Sequence, residues 1–269
     1  VDAAATSLPL ARLPGPLRPK GAEGLIRLGR DHDGGYIVAA ADVDQSEALI
    51  SLGINEDWSF EEAFVARNPV PVTGYDASVG VGVFTSQFRA ALFPLPKPRT
   101  ALDRWKMRQR FEQFFQGDRR HDPRFVGTLT QGHLISMADV LAASASQRIF
   151  LKMDIEGEEY RVLDTLLEHQ HRLTGLALEF HDCDLHLDRI ERFVTRMRLP
   201  LVHLHVNNFA PCDPRSGVPV VLEATFSGCA TLTDAPRTYP LALDQPCNRH
   251  APDYRIDFGS DPDPRCVTA

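Results

Sequence analysis

The sequence predicts an α/β protein built on a mostly parallel sheet, with ligand-binding groups at the sheet's carboxyl edge. Three observations carry this reading. First, Ile149, Phe150, Leu151, Met153 and Ile155 form a nearly continuous apolar run, as a strand covered on both faces does. Second, the run ends in Asp154, Glu156 and Gly157, and a helical stripe of Tyr160, Val162, Leu163, Leu166 and Leu167 follows at once. Third, the order of apolar run, glycine and helix also occurs at 48–67. Glu156 doubles as an ordinary helix-opening carboxylate, favoured by the positive end of the helix dipole. Asp154 is the odder residue, because it interrupts an apolar run that continues with Ile155.

The 269 residues can bury a substantial core without staples. They read as a single domain over 1–269, with an N-terminal hairpin extension at 25–40 and a basic helical insert at 80–124. The net charge of −7 gives no reason to expect a nucleic-acid partner. No apolar run approaches the ~20 residues of a membrane span, and no signal-peptide pattern is present. Starting at Val1, the chain reads as processed or trimmed. Cys183, Cys212, Cys229, Cys247 and Cys266 are scattered, odd in number and never in CxxC spacing. That argues against a zinc knuckle and suits a reducing cytoplasm. The four that follow Cys183 leave room for one local disulfide.

In chain order, residues 1–24 are an irregular lead-in rich in Ala, Pro and Gly. Residues 25–40 place two short apolar runs around Asp33-Gly34-Gly35, a hairpin signal. The charged tip of Arg30, Asp31, His32 and Asp33 leaves a ligand-facing role open beside a purely structural one. Ala48 to Ile54 reads as a buried strand ended by Gly53. Ser59 with Glu62 forms a capping-box pattern, and a helix is expected from about Phe60 to Arg67. The loop is not GxGxxG. It is followed by Glu56, Asp57, Glu61 and Glu62, which would repel a pyrophosphate and suit a cation. S-adenosylmethionine, with its sulfonium and ammonium and no phosphate, is such a cation. Val70 to Ala77 reads as the second strand, and Asp76 near its end lies 23 positions after Gly53. A carboxylate there is placed to accept ribose hydroxyls. The cofactor-binding candidates are therefore Gly53, Asn55, Glu56, Asp57, Asp76, Asp154 and Glu156.

The proline-rich piece FPLPKP precedes a basic amphipathic stretch from Ala101 to Gln116. From Lys97 to Arg124 there are nine Lys/Arg against four Asp/Glu, with Trp105, Met107, Phe111, Phe114 and Phe115 interleaved. Such a stretch either packs its aromatics onto the domain or faces an anionic acceptor or a membrane surface. Strands are expected at 125–130, 173–180, 201–208 and 220–226, and helices at 137–143 and 185–198. On the strand at 201–208, His203, His205 and Asn207 share one face, and Leu204, Val206 and Asn208 the other. The tail from Asp234 reads as a wrapped, largely irregular segment.

Together these pieces resemble the FkbM-type methyltransferases, a branch of the S-adenosylmethionine-dependent methyltransferases. The likeness is strongest in FLKMDIEGEEYRVLDTL at 150–166, and RLGRDHDGGYIV, SLGINEDWSFEE, the Asp76 strand end, HVNNF and LEATF follow the family's order. The basic insert departs from it. The resemblance implies a Rossmann-like class I methyltransferase fold, with a seven-stranded mostly parallel sheet closed by a C-terminal antiparallel hairpin. It also implies S-adenosylmethionine over the first strand ends and methyl transfer to oxygen, on a small-molecule or glycan hydroxyl. Asp154, His181 and Asn208 would then surround the methyl group. His181 is the expected base, since an unperturbed imidazole titrates near ~6.5. Asp154 would orient it, hold the acceptor, or ligate a metal that acidifies the hydroxyl, with His205 and Asn208 as further candidates, and no set of metal ligands is assigned. Four readings compete. A metal-dependent hydrolase would use Asp154, His181 and His205. A glycosyltransferase would use Asp182-Cys183-Asp184 as a DxD. The acidic Gly53 loop argues against a nicotinamide oxidoreductase, and a non-catalytic binding module would keep the fold alone.

Overall fold

The computed structural model describes residues 8–93, 96–235 and 237–259. Seven strands form the central sheet: β1 (Ala48–Leu52), β2 (Val72–Tyr75), β3 (Arg119–Asp122), β4 (Ile149–Met153), β5 (Leu173–Phe180), β6 (Leu201–Val206) and β7 (Leu222–Ser227). Their order across the sheet is β6-β7-β5-β4-β1-β2-β3. All pairings from β3 to β5 are parallel, and β7 runs antiparallel to both neighbours. This is the Rossmann-like class I methyltransferase sheet with its reversed last strand.

The continuous apolar strands lie where their composition requires. Every residue of β1, β4 and β5 is buried, because helices cover both faces of the parallel sheet. The helices that position the site are α1 (Ser59–Arg67), α2 (Val81–Ala90), α3 (Pro98–Phe114), α4 (Met137–Ala143), α5 (Glu159–His169) and α6 (Cys183–Arg196). On α5 the expected stripe is the buried one: Tyr160, Val162, Leu163, Leu166 and Leu167 join the main core. Leu25–Leu28 and Tyr36–Ala39 pair as the expected antiparallel hairpin.

Two expected elements differ. The third sheet strand is Arg119–Asp122, while Phe125–Gly127 pairs separately with Leu134–Ser136. The sequence Arg-Arg-His-Asp has no apolar signal because it is an edge strand with one neighbour, where charged residues are favoured. The capping box at Ser59 does not form. Trp58 is the N-cap, with no side-chain cap bond. Asp57 Oδ1 accepts the Ser59 N–H instead, and the Ser59 hydroxyl accepts the N–H of Arg30 from the hairpin loop.

The basic insert packs Phe111, Phe114 and Phe115 inward, while Trp105 stays exposed. Phe111 and Phe114 on α3 join Trp58, Phe84, Ile54 and Val79 in a separate cluster, and Trp58 meets Phe111 edge-on at 5.5 Å between centroids. Three of the α3 charges pair with acidic groups, Arg104 with Glu56, Arg110 with Glu62 and Arg108 with Glu112. The tail is anchored rather than loose: Arg255–Phe258 pairs in parallel with Leu10–Leu13. Cys183, Cys212, Cys229 and Cys247 are all free thiols, so the local disulfide is absent among the described residues, and Cys266 lies outside them. No helix among the described residues is long and apolar enough to cross a membrane.

Candidate active site

The site begins where β1 ends. Gly53 has φ +73°, and a Cβ there would overlap the Asp154 carbonyl oxygen. Glycine is therefore required for the ends of β1 and β4 to lie this close. Asn55 is also left-handed, at φ +45°. Its backbone N–H donates to Asp76 Oδ2 at 2.8 Å, while Asp76 Oδ1 accepts from the Ser78 N–H at 2.7 Å and hydroxyl at 2.6 Å. Asp76, 5% exposed, thus ties the β1 and β2 loops together. A cavity of about 400 Å³ opens beside it, lined by Gly53, Asn55, Asp76, Phe125, Asp154 and Glu156 among others. That volume lies within the usual range for small-molecule pockets.

A second cavity, of about 360 Å³, lies on the other side of the Gly53 loop and shares Gly53, Asn55 and Asp154 with the first. Its wall mixes both signs: Arg30 and Lys152 against Asp33, Glu56, Asp57 and Glu61. The hairpin tip thus does face a cavity. Glu61 is fully buried. Its Oε1 accepts from the Ser51 hydroxyl, and its Oε2 has no hydrogen-bond partner. Burial raises its pKa against the opposing pull of Lys152. Lys152, 6% exposed, donates to the Gly53 carbonyl at 2.5 Å and sits 5.6 Å from the Tyr36 ring centroid.

At the ends of β4 and β5 the structure gathers Asp154, Glu156, Glu179 and His181. His181 Nδ1 lies 3.1 Å from Glu159 Oε1. Its Nε2 faces Glu179 Oε1 at 3.4 Å, Glu156 Oε2 at 3.5 Å and Asp154 Oδ1 at 3.9 Å. Burial alone would lower the His181 pKa. The Glu159 hydrogen bond and the charges of Glu159, Glu179 and Asp154 outweigh it and raise the pKa to about 9. The ring is thus an imidazolium at neutral pH, unlike the freely titrating base expected from an isolated histidine. Glu179 is also shifted upward: burial, then the charges of Asp154 and Glu223, push its pKa well above the usual carboxylate range. Tyr36, 5% exposed, aims its hydroxyl at Asp154 Oδ2 (3.3 Å) and Glu179 Oε2 (3.5 Å).

The β6 candidates are placed differently. His205 is 2% exposed, with Nδ1 2.9 Å from Glu223 Oε2 and Nε2 3.1 Å from Asp253 Oδ2. Asn208 is engaged by the tail: its Nδ2 reaches the carbonyls of Asn248, Ala251 and Pro252, and its Oδ1 accepts from the Asn248 N–H. Both side chains hold the tail down and have no capacity left for an acceptor. Asn207 does reach the site, its Nδ2 donating to Glu179 Oε1 at 3.3 Å. The hydrolase trio does not assemble either. The two groupings with metal-ligand character among the described residues contain His205 or His181, never both. Asp182 and Asp184 flank a buried Cys183 at the start of α6, with Asp182 left-handed at φ +49°.

No family model matches the chain, and no curated protein matches it. The FkbM-type branch therefore has no support from either comparison. Among solved structures, an rRNA methylase from Streptococcus thermophilus is 12% identical, with 70% of this chain and 91% of that chain covered and a TM-score of 0.37. The delta-N METTL16 MTase domain is 11% identical, covering 68% and 72%, at a TM-score of 0.37. TYW2 of M. jannaschii, solved in complex with AdoMet, is 12% identical, covering 70% and 72%, at 0.33. The strand order itself, not these distant likenesses, defines the fold class. The exclusion of nucleic acid drawn from the net charge is nonetheless withdrawn, because several similar structures are named as RNA methyltransferases. Physically, net charge governs long-range steering. A local basic segment can still meet phosphates within a chain that is acidic overall.

Proposed function

We propose that this chain is an S-adenosylmethionine-dependent methyltransferase of the FkbM type that methylates a hydroxyl of a small molecule or sugar. The observation that carries the reading is the meeting of Gly53, Asp76 and Asp154 at the carboxyl ends of β1, β2 and β4, beside cavities on both sides of the Gly53 loop. The residues present fit the cofactor. Asp76 and the Asn55 loop suit the ribose. The second cavity suits the zwitterionic amino-acid end, with Glu61 Oε2 an orphaned buried acceptor for an ammonium and Arg30 and Lys152 available to a carboxylate. When bound, the cofactor supplies a methyl group on a sulfonium, already a good leaving group.

The chain's own contribution is alignment and proton removal. Asp154 borders both cavities, so the acceptor belongs at the group formed by Asp154, Tyr36, Glu179 and His181. His181, protonated at neutral pH, orients and balances the carboxylates. Glu179, held by the Tyr36 hydroxyl and the Asn207 amide beside Asp154, is the carboxylate assigned to accept the hydroxyl proton. The walls here are acidic, and Arg104 and Arg110 of the insert are paired with Glu56 and Glu62. This favours a neutral or cationic acceptor over the anionic one expected from the insert's charge.

The test is calorimetry with S-adenosylhomocysteine, S-adenosylmethionine and NAD, followed by transfer of labelled methyl to a panel of hydroxyl acceptors. Binding of both sulfur ligands and not NAD is expected. Failure to bind either one would overturn the reading.

A further inference from the structure

We propose that the outward face of α3 is a docking surface for a lipid bilayer that carries anionic headgroups. This surface lies outside the candidate active site and does not depend on its chemistry. One side of α3 is spent on the protein, where Ala101, Phe111 and Phe114 are buried. Leu102 precedes Phe111, and Trp105 precedes Phe114, by about two and a half helical turns, which places both on the opposite side. Leu102 and Trp105 are neighbours at i and i+3, and they are 48% and 43% exposed. Phe93, 79% exposed, stands at the start of the same helix. It lies in the loop from α2, whose ends are tied by the Lys97 N–H donating to the Ala91 carbonyl at 2.7 Å. A single exposed apolar side chain is ordinary, whereas a cluster rimmed by charge marks an interaction surface.

The rim supplies charge of the matching sign. Arg99 and Lys106 flank Leu102 at i−3 and i+4, and Lys97 precedes the helix. All three are exposed. None of them forms an ion pair among the described residues, whereas Arg104, Arg108 and Arg110 meet Glu56, Glu112 and Glu62. Asp103 is the exposed, unpaired carboxylate beside them, so the rim keeps an excess of positive charge. The chain as a whole carries −7 and is repelled by an anionic surface. Only a local face of this kind can hold it there, within the short range that salt leaves to electrostatics.

The chemistry of the face selects lipid as its occupant. Leucine and tryptophan beside lysine and arginine are the composition of a helix that lies in the headgroup layer: the apolar side chains enter the acyl boundary and the cations stay with the phosphates. Such a helix rests on the bilayer without crossing it, in keeping with the many charges of α3. Nucleic acid fits this face less well. A single strand is held in a groove whose cations track its backbone and whose aromatic rings stack on its bases. Here the surface is the convex side of a helix, and Leu102 offers no ring.

The experiment titrates the full chain with phosphatidylcholine vesicles, with and without phosphatidylglycerol, and reads binding by cosedimentation and tryptophan emission. The chain has two tryptophans, Trp58 fully buried and Trp105 exposed, so only Trp105 changes surroundings on docking. Saturable binding to the anionic vesicles is expected, with a blue shift that Trp105→Phe removes. Arg99→Gln combined with Lys106→Gln should weaken binding roughly 25-fold, about 5-fold for each cation. Leu102→Ser should weaken it roughly 5-fold. Arg192→Gln, on the exposed surface of α6, should leave it unchanged. The substituted side chains are exposed, and circular dichroism confirms that each variant keeps the fold. Absence of a blue shift and of saturable binding up to about 1 mM lipid, equal binding to neutral vesicles, or unchanged affinity in both the cation and the Leu102 variants overturns the proposal. So does a chain that ignores vesicles yet binds a single-stranded RNA oligonucleotide through the same residues, which would make the face a nucleic-acid surface.

Discussion

Replacing Asp76 by alanine tests the cofactor assignment at its most exposed point. In the structure both carboxylate oxygens are engaged, Oδ2 by the Asn55 N–H and Oδ1 by the Ser78 N–H and hydroxyl. The substitution therefore acts twice. It removes the charged acceptor for the ribose hydroxyls, a hydrogen bond worth about 1.5–3 kcal/mol, which converts to roughly a 10- to 150-fold loss of affinity. It also strips an acceptor from two backbone N–H groups in a loop where Asp76 itself is 5% exposed, costing about 1–3 kcal/mol of stability if they stay unpaired. Titration calorimetry with S-adenosylhomocysteine reads the first effect, and urea unfolding reads the second. Asp76→Asn separates them, because its amide keeps one oxygen for the loop while losing the charge. It should recover part of the stability and little of the affinity. An Asp76→Ala chain that unfolds at lower urea yet binds with parental affinity would refute the ribose role and leave Asp76 as a loop tie alone.

Three further outcomes are expected. Gly53→Ala should abolish cofactor binding, since its Cβ would overlap the Asp154 carbonyl and φ +73° is unfavourable for alanine by about 1–2 kcal/mol; undiminished S-adenosylhomocysteine affinity in calorimetry would contradict this. Trp58→Ala should cost about 3–5 kcal/mol in urea unfolding, because the ring is fully buried between α1 and α3 and packs edge-on against Phe111; a loss under about 1 kcal/mol would mean that the insert is not docked. His205 links stability to pH. Burial lowers its pKa, but its hydrogen bonds with the acceptor carboxylates of Asp253 and Glu223 and with Cys247 raise it well above 6.5. Its contribution is then fully present below the unfolded value of about 6.5 and is lost as pH rises through the folded value. Proteolysis of the tail around 244–253 should accelerate at alkaline pH, and His205→Ala should flatten that dependence; an unchanged profile in the variant would assign the effect elsewhere.

How much of this was legible in the sequence depended on the range of the interaction. Strands β1, β4 and β5 could be read because burial on both faces leaves no polar positions to break the run. Strand β3 could not, because Arg119, Arg120, His121 and Asp122 sit at an edge where hydrogen bonding to β2 alone holds the strand. The same limit explains the site. Gly53, Asp76 and Asp154 follow from short-range signals, a glycine or a carboxylate at the end of an apolar run. The roles of His205 and Asn208 do not, because they are decided by Asn248 and Asp253, forty or more residues later.

The residues missed at the site show the converse. The alternation of β6 does put His205 and Asn207 on one face. What turns Asn207 toward Glu179, and His205 toward Glu223, is the register in which β7 lies between β5 and β6. That register sets Glu223 opposite both Glu179 and His205. Two carboxylates facing each other across an antiparallel pair repel. Here the repulsion is met by cations and donors brought from elsewhere: His205 on Glu223, His181 and Asn207 on Glu179, and Tyr36 from the hairpin. Tyr36 reads in the sequence as one more apolar residue after Gly34-Gly35. Only the packing of the hairpin over β5 and β7 gives its hydroxyl a place between Asp154 and Glu179, the two carboxylates that the proposed chemistry uses.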